Sequence, residues 1–240
     1  MEWYLILAVI GVGFMAGFIN TLAGSGSLLT LPMLMFLGLP ANVANGTNRI
    51  AIFLQNVVGV TSFKQQKVLD TRLSIWLAVP AVLGSLIGAQ IAIELNEEIM
   101  EKTIGGLLFV MFFLILYKPQ QWIKGKAGHT HAKPSVLQFV IFFFIGIYGG
   151  FIQAGVGLFL LAGLVLGAGI DLVKANATKL FIVLLYTPFA LAIFFINDQV
   201  DWKIGLILAV GNMLGALVAS RFAVSWGAKF VRYILLVVIL

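Results

Sequence analysis

Ten mostly apolar runs follow one another along the chain. They lie at 3–22, 28–39, 44–63, 73–93 and 99–117 in the first half, and at 136–154, 156–169, 175–196, 203–221 and 229–240 in the second. A helix needs about 20 apolar residues to cross the hydrocarbon of a bilayer, fewer where it is broken or stops part-way. Water offers no fold for so many such runs. Only 10% of the 240 residues are charged and 61% are hydrophobic, where soluble domains carry roughly 25% charged residues. The surplus apolar surface therefore faces lipid, and membrane lipids are the first partner the composition implies.

Polar stretches such as "KQQKVLDTR", "ELNEEIMEK" and "NDQVDWK" separate most of the runs. The start, Met1-Glu2-Trp3-Tyr4, has no cationic segment and no small-residue cleavage pattern, so the first run reads as a retained helix. The last run stops early and is expected to continue past Leu240. The run 28–39 is too short to span, since twelve residues at 1.5 Å each cover about 18 Å of a core about 30 Å thick.

The two halves repeat one another. From Gly24 onward, adding 131 lands on a counterpart. Gly24 and Gly26 meet Gly155 and Gly157, and Gly38 meets Gly169. Ala44, Asn45, Gly46 and Thr47 meet Ala175, Asn176, Ala177 and Thr178. Phe63 meets Phe194, Asp70 meets Asp201, and Leu83-Gly84 meets Leu214-Gly215. Upstream, Gly13, Gly17 and Phe18 meet Gly146, Gly150 and Phe151 at an offset of 133.

If five segments cross in each half, one side gathers Lys64, Lys67, Arg72, Lys118, Lys124, Lys126, Lys133, Lys174, Lys179, Arg221, Lys229 and Arg232. The other gathers Glu2, Glu94, Glu97, Glu98, Glu101, Asp198 and Asp201, with Arg49, Lys102 and Lys203. Excess Lys and Arg marks the cytoplasmic side. An odd number of crossings per half inverts the second repeat, an arrangement recurrent in secondary transporters. The rival arrangement, four spans and a re-entrant hairpin per half, makes the repeats parallel and sends Arg221, Lys229 and Arg232 outside. The expected fold is thus an all-α polytopic membrane protein of two homologous, inverted repeats. It has about eight full spans plus short or broken helices, ten segments in all. The expected division is a first transmembrane repeat over 1–117, a cytoplasmic linker over 118–135 and a second transmembrane repeat over 136–240.

"NTLAGSGSLLTLP", from Asn20 to Pro32, puts a polar knot inside this apolar chain. A helix middle offers no free donors, whereas its first turn offers unpaired N–H groups and a partial positive charge. A helix broken inside protein therefore makes an anion site. Gly24 and Gly26 permit the break, and Ser25 or Ser27 can cap the helix that follows. Asn20 would close the site from the preceding helix. "AGVG" at 154–157 is the second copy, with Gly155, Gly157 and Gln153 beside it. Close helix packing is the competing account of the glycines.

A second duplicated cluster holds Asn45, Thr47, Asn48 and Arg49 in one half, and Asn176, Thr178 and Lys179 in the other. These two groups are expected to face each other across a pseudo-twofold axis. Cations this close to apolar runs are functional candidates, with snorkelling as the alternative. No Asp or Glu lies well inside a run, so donors without acids favour an anion.

Other chemistries find no residues here. There is no cysteine, no HExxH zinc motif and no Walker-type phosphate loop. His129 and His131 sit in a polar loop and read as solvated, so no metal and no cofactor are expected. The net charge of +6 lies in short loops and suits anionic headgroups better than nucleic acid. No feature sets an oligomeric state, which leaves a homo-oligomer open.

These residues resemble the TauE/SafE family of membrane permeases, also called the sulfite exporter family. The likeness runs over Gly13 to Phe18, Gly24 to Gly26, Pro32, Gly38 and Ala44 to Asn48. It recurs over Gly146 to Phe151, Gly155 to Gly157, Gly169 and Ala175 to Thr178. The second half departs from the pattern at Gly163, opposite Pro32, and at Lys179, where a small polar residue is common. The resemblance implies a permease of the bacterial cytoplasmic membrane, not an enzyme, that carries sulfite, organosulfonates or related sulfur oxyanions. Efflux of a monoanion needs little coupling, because an inside-negative potential drives it by about 2.3 kcal/mol per 100 mV. An anion channel of the same fold meets the same pattern.

Overall fold

A computed structural model describes residues 2–116 and 135–239. The described residues form nine α-helices: α1 (Trp3–Leu22), α2 (Ser27–Phe36), α3 (Ala41–Gln65), α4 (Thr71–Glu94), α5 (Glu97–Leu116), α6 (Val136–Phe151), α7 (Val156–Ala162), α8 (Leu172–Ile196) and α9 (Trp202–Ile239). A π-helical turn, Gly163–Gly167, extends α7. It begins at Gly163, the position opposite Pro32, where the first half keeps an α-helix through the proline.

Four of these helices are long and apolar enough to cross a membrane: α1, α4, α8 and the Trp202–Val231 part of α9. This corrects the expectation of about eight full spans in ten segments. The physical reason is that hydropathy counts residues without knowing what they face. The 25 residues of α3 include Asn45, Asn48, Arg49, Gln55 and Asn56, all buried against protein. The first turns of α5 carry Glu97, Glu98, Glu101 and Lys102. α6 has 16 residues and α7 only 7. The tenth segment is not a separate helix in this count, because 229–240 continues α9 past a break at Gly227 (φ 72°, ψ −170°). The expected linker, with His129 and His131, falls outside the described residues except for Ser135, which N-caps α6 in a capping box with Gln138.

Lipid-facing surface is visible on α4. Ile75, Trp76, Val79, Leu83, Ile87 and Ile91 are all exposed, at helical spacing.

Glycines decide which helices pair. A Cβ on Gly13 or Gly17 of α1 would strike the backbone of α9 at Leu208 or Asn212, and one on Gly211 or Gly215 would strike α1 at Ile10 or Phe14. The second pair is built alike. Gly84 and Gly88 of α4 abut Phe143 and Ile147 of α6, and Gly146 and Gly150 of α6 abut Ala81 and Ser85. Small residues let backbones approach this closely in lipid. Each pair joins a helix of one half to a helix of the other, so the halves interleave.

α3 and α8 lie between these pairs. Gly59, late in α3, meets Leu180, early in α8, while Arg49 lies over Phe194 near the end of α8. The two repeat-equivalent helices therefore run antiparallel. Other duplicated devices sit 131 residues apart. Gly24 and Gly155 have φ of +80° and +72°, and Gly38 and Gly169 of +91° and +67°. Asp70 and Asp201 N-cap α4 and α9 through Leu73 N–H (3.1 Å) and Ile204 N–H (2.9 Å). The register slips by one turn in the glycine pairs, where Gly84 plays the part of Gly211 and not that of Gly215.

Candidate functional site

The two breaks touch. Gly157 N–H donates to Gly24 C=O at 3.2 Å, and a Cβ on either glycine would strike the backbone of the other. Gly26 presses on the carbonyl of Ala16 in α1 in the same way. These glycines are therefore packing devices as well as breaks; a larger side chain would meet protein there, not open space. In α2, Leu28 and Leu29 N–H bond back to Ser25 and Gly26 C=O, both at 3.0 Å, leaving the amides ahead of them at the helix's open end. Ser25 Oγ is buried with no hydrogen-bond partner in the protein.

The two cations cross between the halves. Lys179, in α8, donates to the carbonyls of Asn20 and Thr21 at the end of α1, both at 2.9 Å, and to Asn176 Oδ1 at 2.7 Å. Arg49, in α3, reaches the end of α6. It donates to Gly149 O (3.1 Å), Gly150 O (2.6 Å) and Phe151 O (3.4 Å), and to Gln153 Oε1 (3.3 Å) and Asn45 Oδ1 (3.4 Å). Each cation thus caps a helix C-terminus of the opposite half. These ends carry roughly half a negative charge each, which favours a basic side chain there. No Asp or Glu is among the buried side chains of the described residues. Neither cation snorkels, for Arg49 is 0% and Lys179 2% exposed.

The remaining candidates divide. Asn48 joins the α2 break, donating to Ser27 Oγ at 3.2 Å and accepting from Thr30 Oγ at 2.7 Å. Asn45 donates to Phe151 O at 2.8 Å. Thr47 points elsewhere, accepting from Asp201 N–H at 2.8 Å at the start of α9. Thr178 is buried, and its side chain makes no hydrogen bond to the other candidates.

Sequence reasoning missed Gln55, Asn56, Thr30 and Asn212. Gln55 Oε1 accepts from both Asn20 and Asn212, at 3.3 Å each. The signal was present: Asn45, Asn48, Arg49, Gln55 and Asn56 recur at helical spacing on one face of α3.

Asn20, Ser27, Asn56, Gln153, Gly157 and Lys179, with three apolar residues, line a cavity of about 10 Å³, the room of a single water. Gln153 adopts φ +60°, a left-handed conformation rare outside glycine. Buried nitrogens without a protein acceptor cluster in this network: Arg49 Nε, Gln55 Nε2, Asn56 Nδ2, Gln153 Nε2 and Asn176 Nδ2. A larger, open cleft of about 840 Å³ lies where α2 ends, α3 begins and α5 passes. Its wall of Glu97, Glu98 and Glu101 repels anions, and its Lys102 is paired with Glu98 at 2.6 Å. No group of three or more metal-ligating side chains occurs among the described residues.

Multiple lipid-facing helices around a buried polar crossing of two broken helices define a polytopic membrane protein of the transporter class. The chain belongs to the family described as "Sulfite exporter TauE/SafE", whose profile matches residues 9–240. It is 27% identical over 238 residues to the "Probable membrane transporter protein ORF9" of Sinorhizobium, covering 99% of this chain and 90% of that one. It is 28% identical to the "Probable membrane transporter protein YfcA" of Escherichia coli K12, over 95% of this chain and 84% of the relative. A "Probable membrane transporter protein" of Haemophilus influenzae is 27% identical over 92% and 86%. No solved structure matches. Membership places the chain among integral, multi-pass membrane transporters and not among enzymes.

Proposed function

We propose that the chain is a secondary transporter of a small oxyanion, sulfite, an organosulfonate or a related sulfur oxyanion, moved outward across the cytoplasmic membrane. One observation carries this reading. Two buried cations and at least five unpartnered N–H donors share a network that contains no carboxylate. Such a site repels cations and supplies donors at low dielectric, where they act most strongly. The family description, sulfite exporter, supports the sulfur oxyanion.

The closed cavity favours a carrier over an open channel. At about 10 Å³ it is too small for an oxyanion, so binding requires the two breaks to separate. The cross-capping by Arg49 and Lys179 suits alternating access, because each half holds a helix end of the other. The division into repeats at 1–117 and 136–240, with a cytoplasmic connection, belongs to the same proposal. So does the wider site of Asn20, Gly24, Ser25, Gly26, Ser27, Asn45, Thr47, Asn48, Arg49, Gln153, Gly155, Gly157, Asn176, Thr178 and Lys179.

Calorimetric titration of the purified protein with sulfite, sulfate, thiosulfate, taurine and sulfoacetate tests it, with sodium and potassium salts exchanged as controls. Binding of at least one sulfur oxyanion, independent of the cation, is the expected result. Heat that follows the cation and not the anion would refute the reading.

A further inference from the structure

The loops that follow α3 and α8 are built alike and sit differently. Lys67 and Asp198, 131 residues apart, both take a left-handed turn, at φ +58° and +56°. Val68 N–H then bonds Phe63 O (3.2 Å), and Gln199 N–H bonds Phe194 O (3.0 Å). The loop 197–201, at the end that carries Asp198 and Glu97, is seated on α3 of the other half. Asp201 N–H donates to Thr47 Oγ1 at 2.8 Å, and a Cβ on Gly46 would strike the Gln199 carbonyl. The equivalent seat for the loop 66–70, at the end that carries Lys64 and Lys67, is Ala177 and Thr178 of α8. That seat is not made. Thr178 makes no hydrogen bond to Asp70, and Asp70 is exposed where Asp201 is half-buried. A single carbon accounts for the difference. Ala177 carries the Cβ that Gly46 lacks, so a loop carbonyl cannot approach it as Gln199 approaches Gly46.

We propose that these two seats are the gates of the transporter, latched at the acidic end and released at the basic end, and that Gly46 and Ala177 set the difference. Thr47 lies between Asn45 and Arg49, and Thr178 between Asn176 and Lys179. Each seat is therefore continuous with the helical turn that carries a buried cation of the crossing. Freeing a seat frees the start of that helix, and the crossing opens toward that end. Inverted repeats give alternating access when one half rocks against the other around a fixed site. A latch made in one repeat and unmade in its counterpart is the asymmetry such rocking exchanges. The crossing then opens first toward the basic end, the side from which efflux loads. This rests on the transporter reading above and not on which anion is carried.

Site accessibility tests the gates without any substrate. Ser27, which lines the crossing, is replaced by cysteine in the otherwise cysteine-free chain. Its reaction with a membrane-impermeant thiol reagent is timed from each face of the membrane, and a cysteine at Asn96 in a separate sample marks the acidic face. Faster reaction from the basic face is expected. Thr47→Val removes the acceptor of the latch and keeps the side chain's volume. It should raise the rate from the acidic face about fivefold, the scale of one hydrogen bond. Gly46→Ala should raise it further, and Thr47→Val decides alone if that variant fails to fold. Thr178→Val has no such bond to lose and should leave both rates unchanged, while Ala177→Gly should slow reaction from the basic face. Faster parent labelling from the acidic face, or none from either face, overturns the proposal. So does an unchanged acidic-face rate in folded Thr47→Val protein, or an equal rise in Thr178→Val. The anion reading stands or falls separately, on the titration above, because no anion is present in the labelling.

Discussion

Gly157 donates its amide hydrogen to the carbonyl of Gly24 at 3.2 Å, so the two broken helices meet backbone to backbone. Gly24 also sits at φ +80°, whereas Gly157 lies inside a helix and Gly38, at φ +91°, faces open space. The three positions separate strain from collision. Gly38→Ala carries left-handed strain alone, about 1–2 kcal/mol. Gly157→Ala carries collision alone, about 1–3 kcal/mol, and Gly24→Ala carries both. Thermal unfolding in detergent should rank Gly24→Ala as the most damaging of the three. A Gly24→Ala protein as stable as Gly38→Ala would mean that the breaks are not in contact.

Lys179→Met should lose more than charge. It leaves the Thr21 carbonyl and Asn176 Oδ1 without their shared donor, each an unpaired buried group worth about 1–3 kcal/mol, while the Asn20 carbonyl keeps its bond from Gly24 N–H at 2.9 Å. Reduced stability together with loss of anion binding is expected. Stability at the parent level would show that the α1 end finds its hydrogen bonds elsewhere.

Gln55→Leu removes one acceptor from two donors, the half-buried Asn20 and the buried Asn212. Destabilisation of about 1–3 kcal/mol follows. Removing the donors as well, in a Gln55→Leu, Asn20→Leu, Asn212→Leu triple variant, should cost less than the sum of the single changes. Strict additivity in unfolding experiments would deny that the three side chains act as one unit.

Much of this site was legible in the chain, and its limits have physical causes. Gly24 and Gly155 announced the breaks because a helix must be interrupted where glycine takes a left-handed turn. Asn45 and Asn176 announced the repeat because polar residues rarely match by chance in an apolar chain. The span count was not legible, since α3 is polar on a face that protein covers, and hydropathy cannot see what covers it. Nor was the partner of Arg49. Its Nη2 bonds Gly150, 101 residues away in the other half, and only the packing of the two halves against each other brings them together. Gln55 and Asn56 went unnoticed because no amide repeats them 131 residues on: Tyr186 and Thr187 stand there.

The ends of the bundle carry opposite charge. Asn42 bonds Leu95 O (2.9 Å) and Gln199 bonds Ile93 O (3.4 Å), gathering Glu94, Glu97, Glu98 and Asp198 at one end. Ser62 bonds Ser220 (2.7 Å), which brings Lys64, Lys67 and Arg221 to the other. The basic end should face the cytoplasm. The chain has no cysteine, so single cysteines at Asn96 and Gly128 can be labelled in intact cells. Position 96 should react with an impermeant thiol reagent from outside and position 128 should not; the opposite pattern would reverse the orientation.

The most direct test of the central claim is flux from proteoliposomes loaded with sulfite and, separately, with methanesulfonate, under a potential negative inside. Efflux of a monoanion should rise with the potential, which supplies about 2.3 kcal/mol per 100 mV, and should saturate with internal concentration. It should be lost in Lys179→Met protein that still inserts and remains monodisperse. Proteoliposomes that pass neither anion above the protein-free rate, or that pass sodium or potassium instead, would contradict an anion site at the crossing of the two breaks.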